Sequence, residues 1–180
     1  MERKGIAGLV VGHSGAGKST LTWTLVNEGL RYSSDELAPI AIAERTVEPF
    51  PRALCLKAVP PGRHPLPAAA FRSGRLTYIP TSALPSAPAS APLQLGPIFF
   101  VRREGEGSTP LSVASVGEAA ARIYAETLNA LAHPADGLDG AIEVAASSAG
   151  CFMLDTSDLE AAAAAVIGVL EKAATGSRAR

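Results

Sequence analysis

A chain of 180 residues that is 47% hydrophobic and 18% charged has the composition of a folded protein with a core of its own, not of a disordered segment. Its 16 basic and 17 acidic residues leave a net charge of −1. That balance supplies no basic field, so duplex nucleic acid is not an expected partner.

Arg3 and Lys4 ahead of the apolar stretch 5–11 give the outline of a signal peptide, but the stretch is short and Lys18 follows soon after. No run approaches the roughly 20 apolar residues of a membrane span. The expectation is a cytoplasmic protein with no membrane partner. Cys55 and Cys151 are read as small apolar core residues, since no CxxC or HxxxH spacing surrounds them.

In chain order, Ile6–Val11 (IAGLVV) is short, wholly apolar and followed by Gly12, the pattern of a buried strand. A glycine-rich stretch comes next. Residues 18–28 then form a helix, with Gly29 placed to close it in the left-handed region. Residues 30–34 are expected as a second short strand, with the apolar run 37–43 pairing beside it. From Pro49 to Pro97 prolines recur every few residues and exclude long helices. Residues 53–58 and Leu76–Ile79 are expected as short strands, and 60–75 and 80–97 as loops. The second loop, PTSALPSAPASAP, is low in complexity and expected to be mobile, a surface excursion before a lid. Residues 97–103 (PIFFVRR) give a strand with a basic end. Ser115 and Glu118 make a capping box for a helix running to about residue 132. Residues 140–148 give a further helix and 151–154 a strand. Ser157 and Glu160 make a second capping box, which opens an alanine-rich final helix. No repeat or composition break divides the chain, so one α/β domain over residues 1–180 is expected.

Gly12-His13-Ser14-Gly15-Ala16-Gly17-Lys18-Ser19 matches G-x-x-x-x-G-K-[ST] at every fixed position, between a strand and a helix as the motif requires. The glycines let consecutive N–H groups turn inward on an anion, and the positive end of the helix adds to them. The stretch from Gly12 to Thr20 is therefore expected to be a P-loop that cradles the phosphates of ATP or GTP. His13, Ser14 and Ala16 occupy its variable positions. Lys18 reaches the β- and γ-phosphates, and the Ser19 hydroxyl binds Mg²⁺.

Binding alone is not chemistry; a carboxylate is needed to hold the metal or take a proton. Asp35 and Glu36, in YSSDE, follow the second expected strand at its carboxyl end, where open α/β sheets bind ligands. Asp155 ends the apolar run CFML and has two readings: a metal-binding aspartate, or a carboxylate at the start of a helix, placed there by the helix dipole. The second reading is the preferred one. A transferring phosphoryl group also needs cationic donors, and the candidates are Arg52 and Lys57, flanking one strand, and Arg102 and Arg103, closing another.

GHSGAGKST, a helix closed by Gly29, and then YSSDELAPI together resemble the catalytic domain of HPr kinase/phosphorylase. More closely, they resemble the shorter HPr-kinase-related proteins, several of which accompany ribosomal peptide maturation, including lasso peptide pathways. PFPRALCLK at 49–57 looks like that group's proline-rich segment ending in a lysine. The resemblance implies a P-loop domain with a mixed sheet, similar to the nucleotide-binding core of phosphoenolpyruvate carboxykinase. It implies ATP and Mg²⁺ as cofactors and transfer of the γ-phosphate to a serine of a peptide or small protein. In it Asp35 corresponds to the acid/base aspartate, Lys18 to the phosphate lysine and Ser19 to the magnesium ligand, with Glu36 as a second acidic residue. The bifunctional members assemble into hexamers, so a homo-oligomer is among the expectations. Those members carry a histidine shortly before the first strand, and Met1–Lys4 contain none, so the resemblance does not extend to phosphorylase activity or to HPr as acceptor. The rival readings are a kinase for a small alcohol or amino acid, and a nucleotide-dependent binding module that transfers nothing.

Overall fold

The structure is a computed structural model, and it describes residues 1–58, 60, 64–103 and 110–176. The strands are β1 (Glu2–Arg3), β2 (Ile6–Val11), β3 (Ile40–Ala41), β4 (Thr46–Val47), β5 (Leu54–Leu56), β6 (Phe71–Ser73), β7 (Leu76–Ile79), β8 (Leu93–Arg102), β9 (Leu111–Val113) and β10 (Cys151–Asp155). The helices are α1 (Lys18–Asn27), α2 (Val116–Ala125), α3 (Leu138–Ser147) and α4 (Leu159–Gly176).

The chain is mixed α/β, and its main sheet is mixed. The spatial order is β1-β2-β8-β10-β9, with β4 on β8 and β3 on β4. β2, β8 and β10 are mutually parallel, while β1, β4 and β9 join antiparallel. The parallel strands are buried on both faces, which is why they read as unbroken apolar runs. Alternation along them sorts side chains into two cores. Phe99, Val101 and Leu154 face Leu21, Leu25, Val166 and Leu170 of α1 and α4. Ile98, Phe100 and Met153 face Ala119, Ala120, Val144 and Ala145 of α2 and α3. A second, three-stranded antiparallel sheet, β5-β7-β6, places Leu54, Leu56 and Ile79 in the same core as α1. Lying between the two sheets, α1 buries every residue from Leu21 to Val26, as a helix enclosed on all sides does.

Several expectations need correction. Residues 30–34 are extended but not a strand, with one bridge from Arg31 to Glu2. The run 37–43 supplies only β3, which pairs with β4. The loop expected over 60–75 contains β6, which turns into β7. β8 starts at Leu93, ahead of Pro97, although proline gives a central strand no N–H. A bulge solves this: Ala7 faces Leu95 and Leu9 faces Ile98, so the pair Gly96-Pro97 stands against Gly8 alone. The fit needs a glycine, since a Cβ at Gly96 would lie 2.4 Å from Ile6 Cγ2 and 2.5 Å from the Ala7 carbonyl oxygen.

The proline-rich segment expected to be mobile is tied down. Ala89 N–H donates to the Tyr32 carbonyl at 2.8 Å, and the Arg31 guanidinium donates to the carbonyls of Ala87 and Pro88. Helix α2 ends at Ala125, not near 132. The N–H groups of Glu126 and Thr127 step back to i−3 carbonyls, and the Thr127 hydroxyl takes the Ile123 carbonyl at 2.8 Å, which tightens and closes the last turn. Ser115 does accept the Glu118 N–H, at 3.2 Å, as its capping role requires. The cap of α4 is one residue later than expected: Asp158 Oδ1 accepts the N–H groups of Glu160 and Ala161, both at 3.0 Å. No helix among the described residues is long and apolar enough to cross a membrane.

Candidate functional site

Because β2, β8 and β10 are parallel, their carboxyl ends lie on one side, and each releases a loop there. β2 runs into Gly12, β8 into Arg103 and β10 into Thr156. The Gly12–Ser19 stretch curls over this edge. Gly15 and Gly17 have φ of +92° and +96°, a region that costs any residue with a Cβ. Gly17 caps α1 with backbone alone, and a Cβ there would lie 3.5 Å from Thr156 Oγ1. Ala16 N–H turns back to the His13 carbonyl at 3.2 Å. The Lys18 ammonium folds over the loop and donates to the carbonyls of Gly12 and His13. Ser19 and Thr20 follow in the first turn of α1, whose N–H groups have no partner within the helix. The loop thus offers a ring of donors and a cation at the positive end of a helix, which suits an anion. The His13 side chain is exposed.

Asp35 is brought to this loop by the return of the chain after α1. Gly29, at φ +91°, ends the helix, and Leu30 and Tyr32 are buried as the chain runs back. Phe50 N–H holds the Ser33 carbonyl at 3.1 Å, and Leu37 N–H holds the Ser34 hydroxyl at 3.3 Å. Between these ties, Asp35 Oδ1 accepts the Ser19 hydroxyl at 2.9 Å and Oδ2 accepts the Cys55 N–H at 3.1 Å. Burial pushes the Asp35 carboxyl above its ordinary value; the Cys55 and Ser19 donors and the Lys18 charge pull it back, and Glu36 raises it further. Tyr32 lies buried beneath, its phenol raised by burial first and then by the charges of Asp35 and Glu36.

The other expected site residues divide. Lys57 joins the loop, its ammonium donating to the Ser14 hydroxyl at 2.6 Å. Glu36 and Arg52 turn outward and pair with each other at 3.5 Å, both 64% exposed. Arg102 ends β8 in register with Asp155, and Arg103 is exposed beyond it. Asp155 is 2% exposed. Its Oδ1 accepts both the N–H (2.8 Å) and the hydroxyl (2.7 Å) of Ser157. It therefore organises the turn into α4, while the capping itself falls to Asp158. Two contributors lay beyond sequence reasoning. Cys55 acts through its backbone, which no side-chain pattern reveals, and Thr156 stands beside Gly17 only because β10 is parallel to β2 through β8. Both cysteines are free thiols; burial raises Cys55, which also feels Asp35, and burial raises Cys151.

A cavity of about 80 Å³ opens beside Asp35, lined by Lys18, Thr22, Ser34, Glu36 and Leu37 among others. Among the described residues no cluster of three or more metal-ligating side chains occurs. Magnesium does not require one, since it is commonly held by one or two protein oxygens together with phosphates. Fold and site define an α/β protein whose glycine-rich loop, two lysines and one half-buried carboxylate meet at the carboxyl ends of parallel strands. No known protein family, no curated protein and no solved structure matches this chain.

Proposed function

We propose that this chain is a phosphotransferase that moves the γ-phosphate of ATP to a serine hydroxyl on a peptide or small protein. The observation that carries the reading is the 2.9 Å bond from Ser19 Oγ to Asp35 Oδ1. It puts a carboxylate at the point where the loop motif requires the metal and the γ-phosphate. In this reading the loop N–H groups and Lys18 bind the phosphates, and Ser19 with Asp35 would hold Mg²⁺. The metal supplies charge neutralisation on the phosphate oxygens. Asp35 orients the acceptor hydroxyl and takes its proton as the new oxygen–phosphorus bond forms; the bond from the γ-phosphorus to the bridging oxygen breaks, and ADP leaves. Both Asp35 oxygens are engaged, but each keeps a second lone pair for this task. The upward push on its carboxyl suits a base, and general-base help of this kind is worth roughly 10²- to 10⁴-fold. Glu36, turned outward onto Arg52, has no direct part.

The serine acceptor rests on the resemblance carried by GHSGAGKST and YSSDE; a kinase for a small alcohol or amino acid would use the same loop and carboxylate. A binding module without transfer would lean on Asp155 for the metal; its Oδ1 accepts from the Ser157 N–H and hydroxyl, and the transfer assay separates the two readings.

The test uses γ-labelled ATP with Mg²⁺ and a library of serine-containing peptides, on wild type and Asp35→Asn, with ATP affinity measured alongside. Label on a peptide with wild type, and its loss in Asp35→Asn at unchanged ATP affinity, is the expected result. Equal transfer by both proteins would remove Asp35 from the chemistry. ATP binding without transfer to any peptide would leave the binding module as the better reading.

A further inference from the structure

We propose that Lys57 acts in cis on the phosphoryl group in flight, leaving the Ser14 hydroxyl for the equatorial oxygens of the γ-phosphoryl group only as the transfer proceeds. The proposal rests on the phosphotransferase reading above and adds a catalytic residue to it.

Of the four cations that the sequence offers for this task, Lys57 reaches the loop, its ammonium 2.6 Å from Ser14 Oγ. Arg52 is held off by Glu36 at 3.5 Å and lies 6.0 Å over the Phe50 ring. Arg102 ends its strand in register with Asp155, and Arg103 points to solvent. Among the described residues no carboxylate pairs with Lys57, which donates to a neutral hydroxyl. Lys18, the other ammonium, bonds Gly12 and His13 on the same short loop. Two positive charges therefore converge on a handful of residues, an arrangement that suits an anion.

Placement is equally specific. Lys57 directly follows the edge strand β5 (Leu54–Leu56), two residues past Cys55. The Cys55 N–H fixes Asp35 Oδ2 at 3.1 Å, so this strand and the residue after it set both the base and the cation against the loop. Leu54 and Leu56, fully buried against α1, hold that strand rigidly. A flexible four-carbon stem just past the end of that strand gives a charge that can move from a hydroxyl to a phosphate oxygen without backbone change. In the transfer itself Lys57 forms no covalent bond: the acceptor oxygen bonds to the γ-phosphorus, the bridging bond breaks, the proton goes to Asp35 and the electron pair leaves with ADP. Lys57 stabilises the charge on the equatorial oxygens as this happens.

The experiment compares wild type, Lys57→Ala and Lys57→Arg in their affinity for ADP, for a non-hydrolysable ATP analogue and for ADP with aluminium fluoride, all with Mg²⁺, and records melting temperatures. No acceptor is needed. Lys57→Ala is expected to bind ADP and the ATP analogue within about twofold of wild type, since only interactions stronger in the transition state are lost. It is expected to bind the aluminium fluoride complex about 10²-fold more weakly, the loss typical of one transition-state donor, and Lys57→Arg recovers part of that. Equal weakening of all three ligands would make Lys57 a ground-state phosphate binder and overturn the proposal. Unchanged affinities with a lowered melting temperature would make it a strap between β5 and the loop and overturn it too. Wild type that binds no nucleotide at all would instead bring down the phosphotransferase reading.

Discussion

The Asp35 carboxyl pulls fold and function in opposite directions. Burial raises it, and the donors from Cys55 and Ser19 only partly offset that. A carboxyl whose folded value lies above its unfolded value holds its proton more tightly in the native state. The native state is thus favoured at low pH and loses stability as pH rises through the folded value. Asp35→Asn keeps an acceptor for Cys55 and a donor for Ser19 but carries no charge. It should therefore melt higher than wild type at pH 7, and the difference should vanish below the ordinary aspartate value of 3.8. Thermal melts of both proteins across pH check this. An Asp35→Asn that melts lower at pH 7 would mean that the two hydrogen bonds outweigh the buried charge. Asp35 was legible in the sequence as an acidic residue following the loop helix. Its partner Cys55 was not, because a backbone N–H leaves no trace in residue type.

At the scale of the element, long apolar patterns and local chemistry were readable, and short pairings were not. Ile6–Val11 and the 97–102 stretch read as buried strands because both their faces are covered. β6 (Phe71–Ser73) did not, since all three residues are exposed and only its partner β7 makes it a strand. The start of α4 shows how neighbouring cap candidates are decided. Ser157 is drawn to Asp155, which leaves Asp158 to satisfy the first N–H groups of the helix. Asp158→Ala should therefore lower stability by about 1 kcal/mol, the usual worth of an N-cap, a shift in melting temperature of roughly 2–4 °C for a chain of this size. Denaturant unfolding of the variant is the check, and an unchanged midpoint would return the cap to Ser157. The Leu170 side chain over Gly8 marks another such decision: its Cδ1 would lie 3.1 Å from a Cβ there, so the last helix seats tightly on the first long strand where glycine stands.

Across the whole molecule, the proline-rich segment between β7 and β8 is the feature whose behaviour composition misjudged. Its residues favour no regular structure, yet the Arg31 guanidinium donates to two of its carbonyls, the Tyr32 carbonyl accepts the Ala89 N–H, and Ala89 is buried. The segment lies behind the same stretch of chain that delivers Asp35. Arg31→Ala should free it. Loss of about 1 kcal/mol of hydrogen bonding would speed cleavage within residues 80–92 roughly fivefold when cleavage follows the opened fraction. Limited proteolysis with mapping of the cut sites measures this, and unchanged cleavage would show that Ala89 and its burial suffice to hold the segment.

By itself, the sequence determined the glycine-rich loop between a strand and a helix, the candidate carboxylate after that helix, and the apolar strands of a mixed α/β chain. These are local patterns, written in residue type and spacing over a few turns. The tertiary structure alone decided which distant groups meet at the loop: Cys55 N–H on Asp35, Lys57 on Ser14 and Thr156 beside Gly17, while Glu36 and Arg52 turn away to each other. Each of those meetings depends on strand order and register, which are set by burying two sheet faces and fitting Pro97 through a bulge. Such choices are made by packing over the whole chain, so no short stretch of sequence contains them.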